Sequence, residues 1–350
     1  MPDLSPRQAV LRMAPYHPPT GGREHKLRLD FNENTVGCSP AVIAALRDYA
    51  SAEALTVYPE YESARRDLAA FFGVAEAEML LTNGTDEAIQ VLINTFVDAG
   101  DEVLLLKPCY AMYRFYGELA GATIREIDYR RPGLEFPVEE LLAAVTPATK
   151  AILLANPNNP TGGATSLDVI RALLDRAPQA AVLIDEAYFE FCDITSLPLL
   201  HEYPNLFVCR TFSKAYGMAA MRAGCLFSRD NNMAHLRKAR SPYSVNALAA
   251  LAARAAVQDQ EYVTSYVNHV ITARTQIAAG LTQLGISVFP SQANFVLFQA
   301  GDRAIAIRDE LRRRGVLVRD RSYELPGCLR VTCGTPEQAA RFLNDMKELW

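Results

Sequence analysis

From Met79 onward, short apolar runs alternate with amphipathic stretches along the chain. Met79-Leu80-Leu81-Thr82, Val103-Leu104-Leu105-Leu106, the residues over 122–127, Ala151-Ile152-Leu153-Leu154-Ala155, Ala181-Val182-Leu183-Ile184 and Leu206-Phe207-Val208-Cys209-Arg210 all have the length of strands. Helix-length segments lie between them, and that alternation predicts an α/β fold. Helices are also expected over 40–49, 63–72, 244–258, 262–284 and 303–314. The second-last of these is long enough to link two domains. Short runs over 287–290, 294–299, 317–319 and 329–332 predict a smaller sheet. Residues 1 to about 26 are rich in Pro, Gly and charge and are expected to form an extended arm.

These elements divide the chain into an N-terminal arm (1–28), a large domain (49–269) and a small α/β domain drawn from both ends (29–48 and 270–350). At 350 residues, half of them hydrophobic, the chain can bury a large core. The formal net charge of −5 argues against a nucleic-acid partner. Arg312-Arg313-Arg314 sits at an expected helix end, where cations suit the dipole. The seven cysteines are scattered without a C-x-x-C pair, which fits a reducing cytoplasm and no structural zinc. Core packing is the expected role of Cys328 and Cys333. The five histidines lack ligand spacing, so no metal is expected. No signal peptide and no membrane-spanning apolar run is read.

Candidate chemistry centres on Lys214, in Thr211-Phe212-Ser213-Lys214-Ala215-Tyr216-Gly217-Met218. Hydroxyls, aromatics and small residues surround it, and a dry, low-charge setting lowers a lysine's pKa. A neutral amine can attack a carbonyl. By itself the pattern more often marks a half-buried structural lysine. Upstream, Asn156-Pro157-Asn158-Asn159-Pro160-Thr161-Gly162-Gly163 and Asp185-Glu186-Ala187-Tyr188 each follow an apolar run. Ligands in open α/β sheets bind beyond the strands' carboxyl ends, so Asn159, Asp185 and Lys214 are expected to converge. The set suits pyridoxal phosphate, which needs a lysine for its aldehyde and an acid facing its ring nitrogen. Asp185 is the acid, and Tyr188 and Asn159 are donors to the ring oxygen. Asn83-Gly84-Thr85-Asp86 turns from a strand into a helix, where backbone N–H groups accept phosphate. Thr211, Ser213 and Arg222 add donors, Arg222 as a two-pronged fork.

With these motifs in hand, the chain resembles the fold-type I pyridoxal-phosphate aminotransferases, and among them the histidinol-phosphate aminotransferases. The likeness runs nearly end to end. It includes Ala14-Pro15-Tyr16, Leu29-Asp30-Phe31-Asn32-Glu33-Asn34, Tyr58-Pro59-Glu60 and Cys328-Leu329-Arg330-Val331-Thr332-Cys333-Gly334-Thr335. Thr35-Val36-Gly37 departs from the usual Pro-x-Gly and loosens the expected turn. The resemblance implies a large domain with a mostly parallel mixed sheet between helices. It also implies a homodimer with shared active sites, in which Tyr58 reaches the partner's cofactor phosphate. Tyr110 is implied to stack on the cofactor ring; read alone it could equally be a core tyrosine. Arg330 needs an anionic partner, which either an internal carboxylate or a substrate supplies, and the resemblance favours the substrate. Arg319, Tyr16 and Asn34 are implied to complete the substrate site, for histidinol phosphate and for glutamate or 2-oxoglutarate. Tyr188 joins Lys214 and Asp185 as catalytic. Rival readings are an aromatic or broad-range aminotransferase, a phosphothreonine decarboxylase of similar build, and a non-catalytic binding protein.

Overall fold

The computed structural model describes residues 4–15 and 21–350. Its eleven strands, in chain order, are β1 (Leu27–Leu29), β2 (Met79–Thr82), β3 (Glu102–Lys107), β4 (Thr123–Asp128), β5 (Thr149–Ala155), β6 (Ala181–Asp185), β7 (Leu206–Thr211), β8 (Gly224–Phe227), β9 (Phe295–Gln299), β10 (Val316–Asp320) and β11 (Cys328–Thr332). Seven of them form one sheet in the order β2-β8-β7-β6-β5-β3-β4. Only β8 runs against its neighbours, so the sheet is mixed but mostly parallel. Residues of β6 and β7 are buried throughout. That is why their sequences are unbroken apolar runs: helices cover both faces of such a sheet. Two apolar clusters form the core. The smaller one holds the helix Gly84–Phe96 against β3, β5, β6 and β7, and the larger one continues into the second sheet.

The second sheet has the order β1-β10-β11-β9. Leu27–Leu29 pairs in parallel with Val316–Val318, so the start of the chain is stitched to its end. The helix Gln260–Gln283 runs from one sheet region to the other, about 36 Å long at 1.5 Å per residue. Asp259 caps it by accepting from the Tyr262 N–H at 3.4 Å. The last helix, Pro336–Leu349, starts at a reciprocal cap between Thr335 and Gln338. It lies so close to the linking helix that a Cβ on Gly280 would stand 2.6 Å from Leu343 Cδ1.

Three local expectations need correction. The arm is not wholly extended: Gln8–Arg12 is a short helix, and Arg7 donates to the Leu119 carbonyl at 3.0 Å. The expected strand over 287–290 is a single bridge between Val288 and Phe298, because Pro290 and the following Ser291 turn the chain away. The turn after Asn34 is closed rather than loose, since Asn34 Oδ1 accepts from the N–H groups of Val36 at 2.8 Å and Gly37 at 2.9 Å. Among the described residues, no helix is long and apolar enough to cross a membrane.

Candidate active site

Strands β2, β3, β5, β6 and β7 all end at one side of the large sheet, and the residues after them wall a cavity of about 300 Å³. The opposite wall comes from the segment after β1 and from β10 and β11. Hydrogen bonds from both sheets fasten that segment. Arg330 Nη2 donates to the Asp30 carbonyl at 2.9 Å, Lys214 Nζ to the Phe31 carbonyl at 3.1 Å, and Asn34 Nδ2 to the Ala215 carbonyl at 3.0 Å. Asn32 adopts a left-handed backbone (φ 55°) and is held by Thr332 Oγ1 and Asn294.

Lys214 therefore sits where the two sheets meet. Among the described residues no carboxylate lies within ion-pair distance of it. Burial, then the positive charge of Arg330, pulls its pKa down to about 8. Such an amine is partly neutral near physiological pH and can act as a nucleophile or carry a proton.

One end of the cavity is built to take an anion. Thr85, Ser213 and Arg222 line it. Arg222 has a left-handed backbone (φ 56°), an uncommon conformation that aims its guanidinium inward. It donates to Asp86 Oδ2 at 3.1 Å and to Ser213 Oγ at 3.4 Å. Tyr110 donates to the other Asp86 oxygen at 2.9 Å. Gly84 has φ +73°, and a Cβ there would stand 2.7 Å from Arg222 Nη2. The space against the helix start thus exists because residue 84 has no side chain. Thr211 Oγ1 accepts from the Ser213 N–H at 3.1 Å, which fixes the turn before Lys214.

Asp185 closes the floor at the end of β6. Tyr113 donates to its Oδ2 at 2.8 Å and the Ala187 N–H to its Oδ1 at 3.1 Å. Burial nevertheless raises its pKa to about 6. A buried carboxylate in that state suits a cationic ring N–H as partner. Asn32 Nδ2 donates to the Tyr188 hydroxyl at 3.0 Å, and Asn159 Oδ1 accepts from Arg330 Nη1 at 2.5 Å.

At the other end stand Arg319, Arg321 and Arg330. Arg330 is 4% exposed, and among the described residues it forms no ion pair. Burial, then the charge of Arg321, lowers its pKa to about 10. Arg319 Nη1, Arg321 Nε and Arg330 Nε are buried without a partner. Arg23 and Arg319 both lie over the Phe31 ring, at 4.4 and 5.1 Å. Unpartnered buried donors on three cations make a receptor for an anion.

The cavity gathers Thr85, Asp86, Tyr110, Asn159, Asp185, Tyr188, Thr211, Ser213, Lys214, Arg222, Arg319 and Arg330. Asn34 stands behind it, pinning its loop to Ala215. Tyr58 stands away from it, 74% exposed and stacked on Tyr243 at 4.4 Å. Tyr16 lies outside the described residues. Sequence reasoning missed Tyr113, Asn32 and Arg321. Tyr113 lies in the first turn of the helix Ala111–Ala120, and its ring meets that of Tyr110, the residue before the helix, at 5.7 Å.

The pattern of the class I and II aminotransferases matches residues 24–345. The chain is 39% identical to the histidinol-phosphate aminotransferase of Symbiobacterium thermophilum over 98% of each chain. It is 34% identical to histidinol-phosphate aminotransferase 2 of Carboxydothermus hydrogenoformans, over 97% of this chain and 98% of the other. The histidinol-phosphate aminotransferase of Sinorhizobium meliloti, solved in complex with pyridoxal-5'-phosphate, superposes with a TM-score of 0.83 at 26% identity, covering 93% of this chain and 92% of that one.

Proposed function

This chain belongs to the class I and II aminotransferases, and on that premise we propose that its cavity binds pyridoxal phosphate and exchanges an amino group between L-histidinol phosphate and 2-oxoglutarate. The products are imidazole acetol phosphate and glutamate, a step of histidine biosynthesis. The observation that carries the substrate reading is the cluster of three arginines, Arg319, Arg321 and Arg330, at one end of the cavity, each with a buried N–H group left unpartnered.

The residues present fit the cofactor. Gly84, Thr85, Ser213 and Arg222 would hold its phosphate, in the space that a Cβ at position 84 would fill. Asp185 would face the ring nitrogen, Tyr110 the ring, and Tyr188 with Asn159 the ring oxygen. When bound, pyridoxal phosphate supplies an aldehyde for the lysine and a ring that accepts electrons from the substrate carbon.

The chain's own groups do the rest. Lys214, half-neutral near pH 8, takes the proton from the substrate's amino-bearing carbon and returns it on the opposite side of the exchange. Asp185 holds a proton on the ring nitrogen it faces, and Tyr113 holds Asp185 in place. Arg330 and Arg319 orient the substrate by its anion. A guanidinium fork suits both carboxylate and phosphate, so one site can serve glutamate and histidinol phosphate in turn. Asn34 keeps the wall segment against Ala215, beside Lys214.

The exposed Tyr58–Tyr243 stack supports a homodimer in which Tyr58 enters the partner's site. The cytoplasm is the compartment that fits a biosynthetic enzyme with free cysteines. A half-reaction screen tests the substrate reading. Purified enzyme is mixed with histidinol phosphate, phenylalanine, tyrosine or phosphothreonine, and conversion to the pyridoxamine form is followed. Histidinol phosphate should convert it fastest. Fast conversion by phenylalanine with none by histidinol phosphate would remove that substrate.

A further inference from the structure

Beside Arg319 and Arg330, the cavity is lined by a third arginine, Arg321. Arg321 follows β10 directly and is 7% exposed. It forms an ion pair with Glu324 through Nη2, and its guanidinium lies 5.0 Å from the Tyr323 ring. Its Nε is buried without a partner, as are Arg319 Nη1 and Arg330 Nε. Three positive charges and the one negative charge of Glu324 leave two positive charges at this end. The carboxylates of Asp30 and Glu33 nearby are occupied by Arg23 and Arg28.

That balance matches a phosphate monoester better than a carboxylate. The monoester carries about −2 at neutral pH and offers three terminal oxygens. A carboxylate carries one charge and has two oxygens, which the forks of Arg319 and Arg330 already satisfy. We infer that the Arg321–Glu324 pair is a specificity-determining element that favours a dianionic phosphate over a carboxylate in this site. Arg321 supplies the third positive charge from the cavity wall, and Glu324 holds its guanidinium there while keeping the local charge near that of the dianion. The inference rests on the substrate reading given above and deepens it. Burial raises the pKa of Glu324, and Arg321 and then Arg330 oppose that rise, so its carboxylate responds to both cations.

The test is a calorimetric titration of the holoenzyme with methyl phosphate and with butyrate, a single carboxylate. Arg321→Gln should weaken methyl phosphate by at least about tenfold and butyrate by less than about threefold. Glu324→Gln keeps a hydrogen-bond acceptor that holds the Arg321 guanidinium and should preserve the preference for methyl phosphate over butyrate. Turnover should follow, with the KM for histidinol phosphate raised in Arg321→Gln well beyond that for glutamate. Parallel weakening of both ligands in Arg321→Gln, or no change in either, overturns the inference, because a merely structural arginine would not move the ratio. The binding ratio is measurable even if histidinol phosphate fails to convert the wild-type enzyme, so the two readings fail separately.

Discussion

Arg319 on β10 and Arg330 on β11 stand directly opposite each other across an antiparallel ladder. Like charges in that register cost stability, by roughly 0.2–1 kcal/mol, and neither has an ion-pair partner among the described residues. The arrangement fits the substrate anion proposed for this end of the cavity. Arg319→Gln should therefore leave unfolding stability unchanged or raise it by up to about 1 kcal/mol in urea titrations. The same variant should raise the KM for histidinol phosphate at least about tenfold. A stability loss without a KM change would assign Arg319 to the fold instead.

Lys214→Ala should lower turnover by about a thousandfold or more, since it removes both nucleophile and proton carrier. The variant should still bind pyridoxal phosphate through Arg222, Ser213 and Asp185. Borohydride should fix the cofactor to the wild-type chain and not to the variant, as read by mass spectrometry. Retention of wild-type turnover would end the assignment of this lysine.

Lys214 also predicts a pH dependence of the cofactor-free chain. Its pKa falls from 10.5 to about 8 on folding. Between those values the unfolded chain binds more protons, so this group makes the folded state more stable as pH rises through the window. Below pH 8 the cost of burying the ammonium is fully present. Lys214→Met removes that cost. The variant should be more stable than wild type at pH 7, and its advantage should shrink toward pH 10.5. An advantage independent of pH would trace it to packing rather than to charge.

Tyr113 donates to Asp185 and so opposes the rise in pKa that burial causes. Tyr113→Phe should push the Asp185 pKa further above about 6. The acid limb of the kcat/KM profile should then move toward higher pH by about one pH unit, the size of a hydrogen bond to a charged group. A limb that stays in place would show that Tyr113 only fills space.

Gly84→Ala places a Cβ 2.7 Å from Arg222 Nη2 on a backbone with φ +73°. Strain of about 1–2 kcal/mol and a displaced Arg222 should weaken pyridoxal phosphate by about tenfold or more. Fluorescence titration of the cofactor-free chain measures it, and an unchanged Kd would move the phosphate cradle elsewhere.

The strands that the sequence made legible are those buried on both faces. Val103-Leu104-Leu105-Leu106 and Ala181-Val182-Leu183-Ile184 have no polar positions to blur them. The helix Pro40–Tyr49 stands where the periodicity placed it, and the structure shows its start fixed by Ser39, whose side chain accepts from the Ala41 N–H, and by Pro40 in its first turn. Strand β8 was hidden because its four residues follow directly on the Arg222 turn. Strand β1 is three residues long, and only its pairing with Val316–Val318 defines it. Lys214, Asp185 and Asn159 were found because each follows an apolar run. Tyr113 was not, because an inward-facing tyrosine on an amphipathic helix reads like any core residue. Arg321 was passed over because it sits in a polar run, where an arginine ordinarily meets water.

The pairing of Leu27–Leu29 with Val316–Val318 has a consequence for biosynthesis on the ribosome. The two partners are separated by almost the whole chain, and domains otherwise tend to fold as they emerge. The central seven-stranded layer can assemble early, but the Asp30–Asn34 segment must wait for the last tenth of the polypeptide to leave the exit tunnel. A nascent chain arrested before residue 316 would carry Lys214 and Asp185 in a half-walled pocket, with the carbonyl of Phe31 not yet docked against the amine.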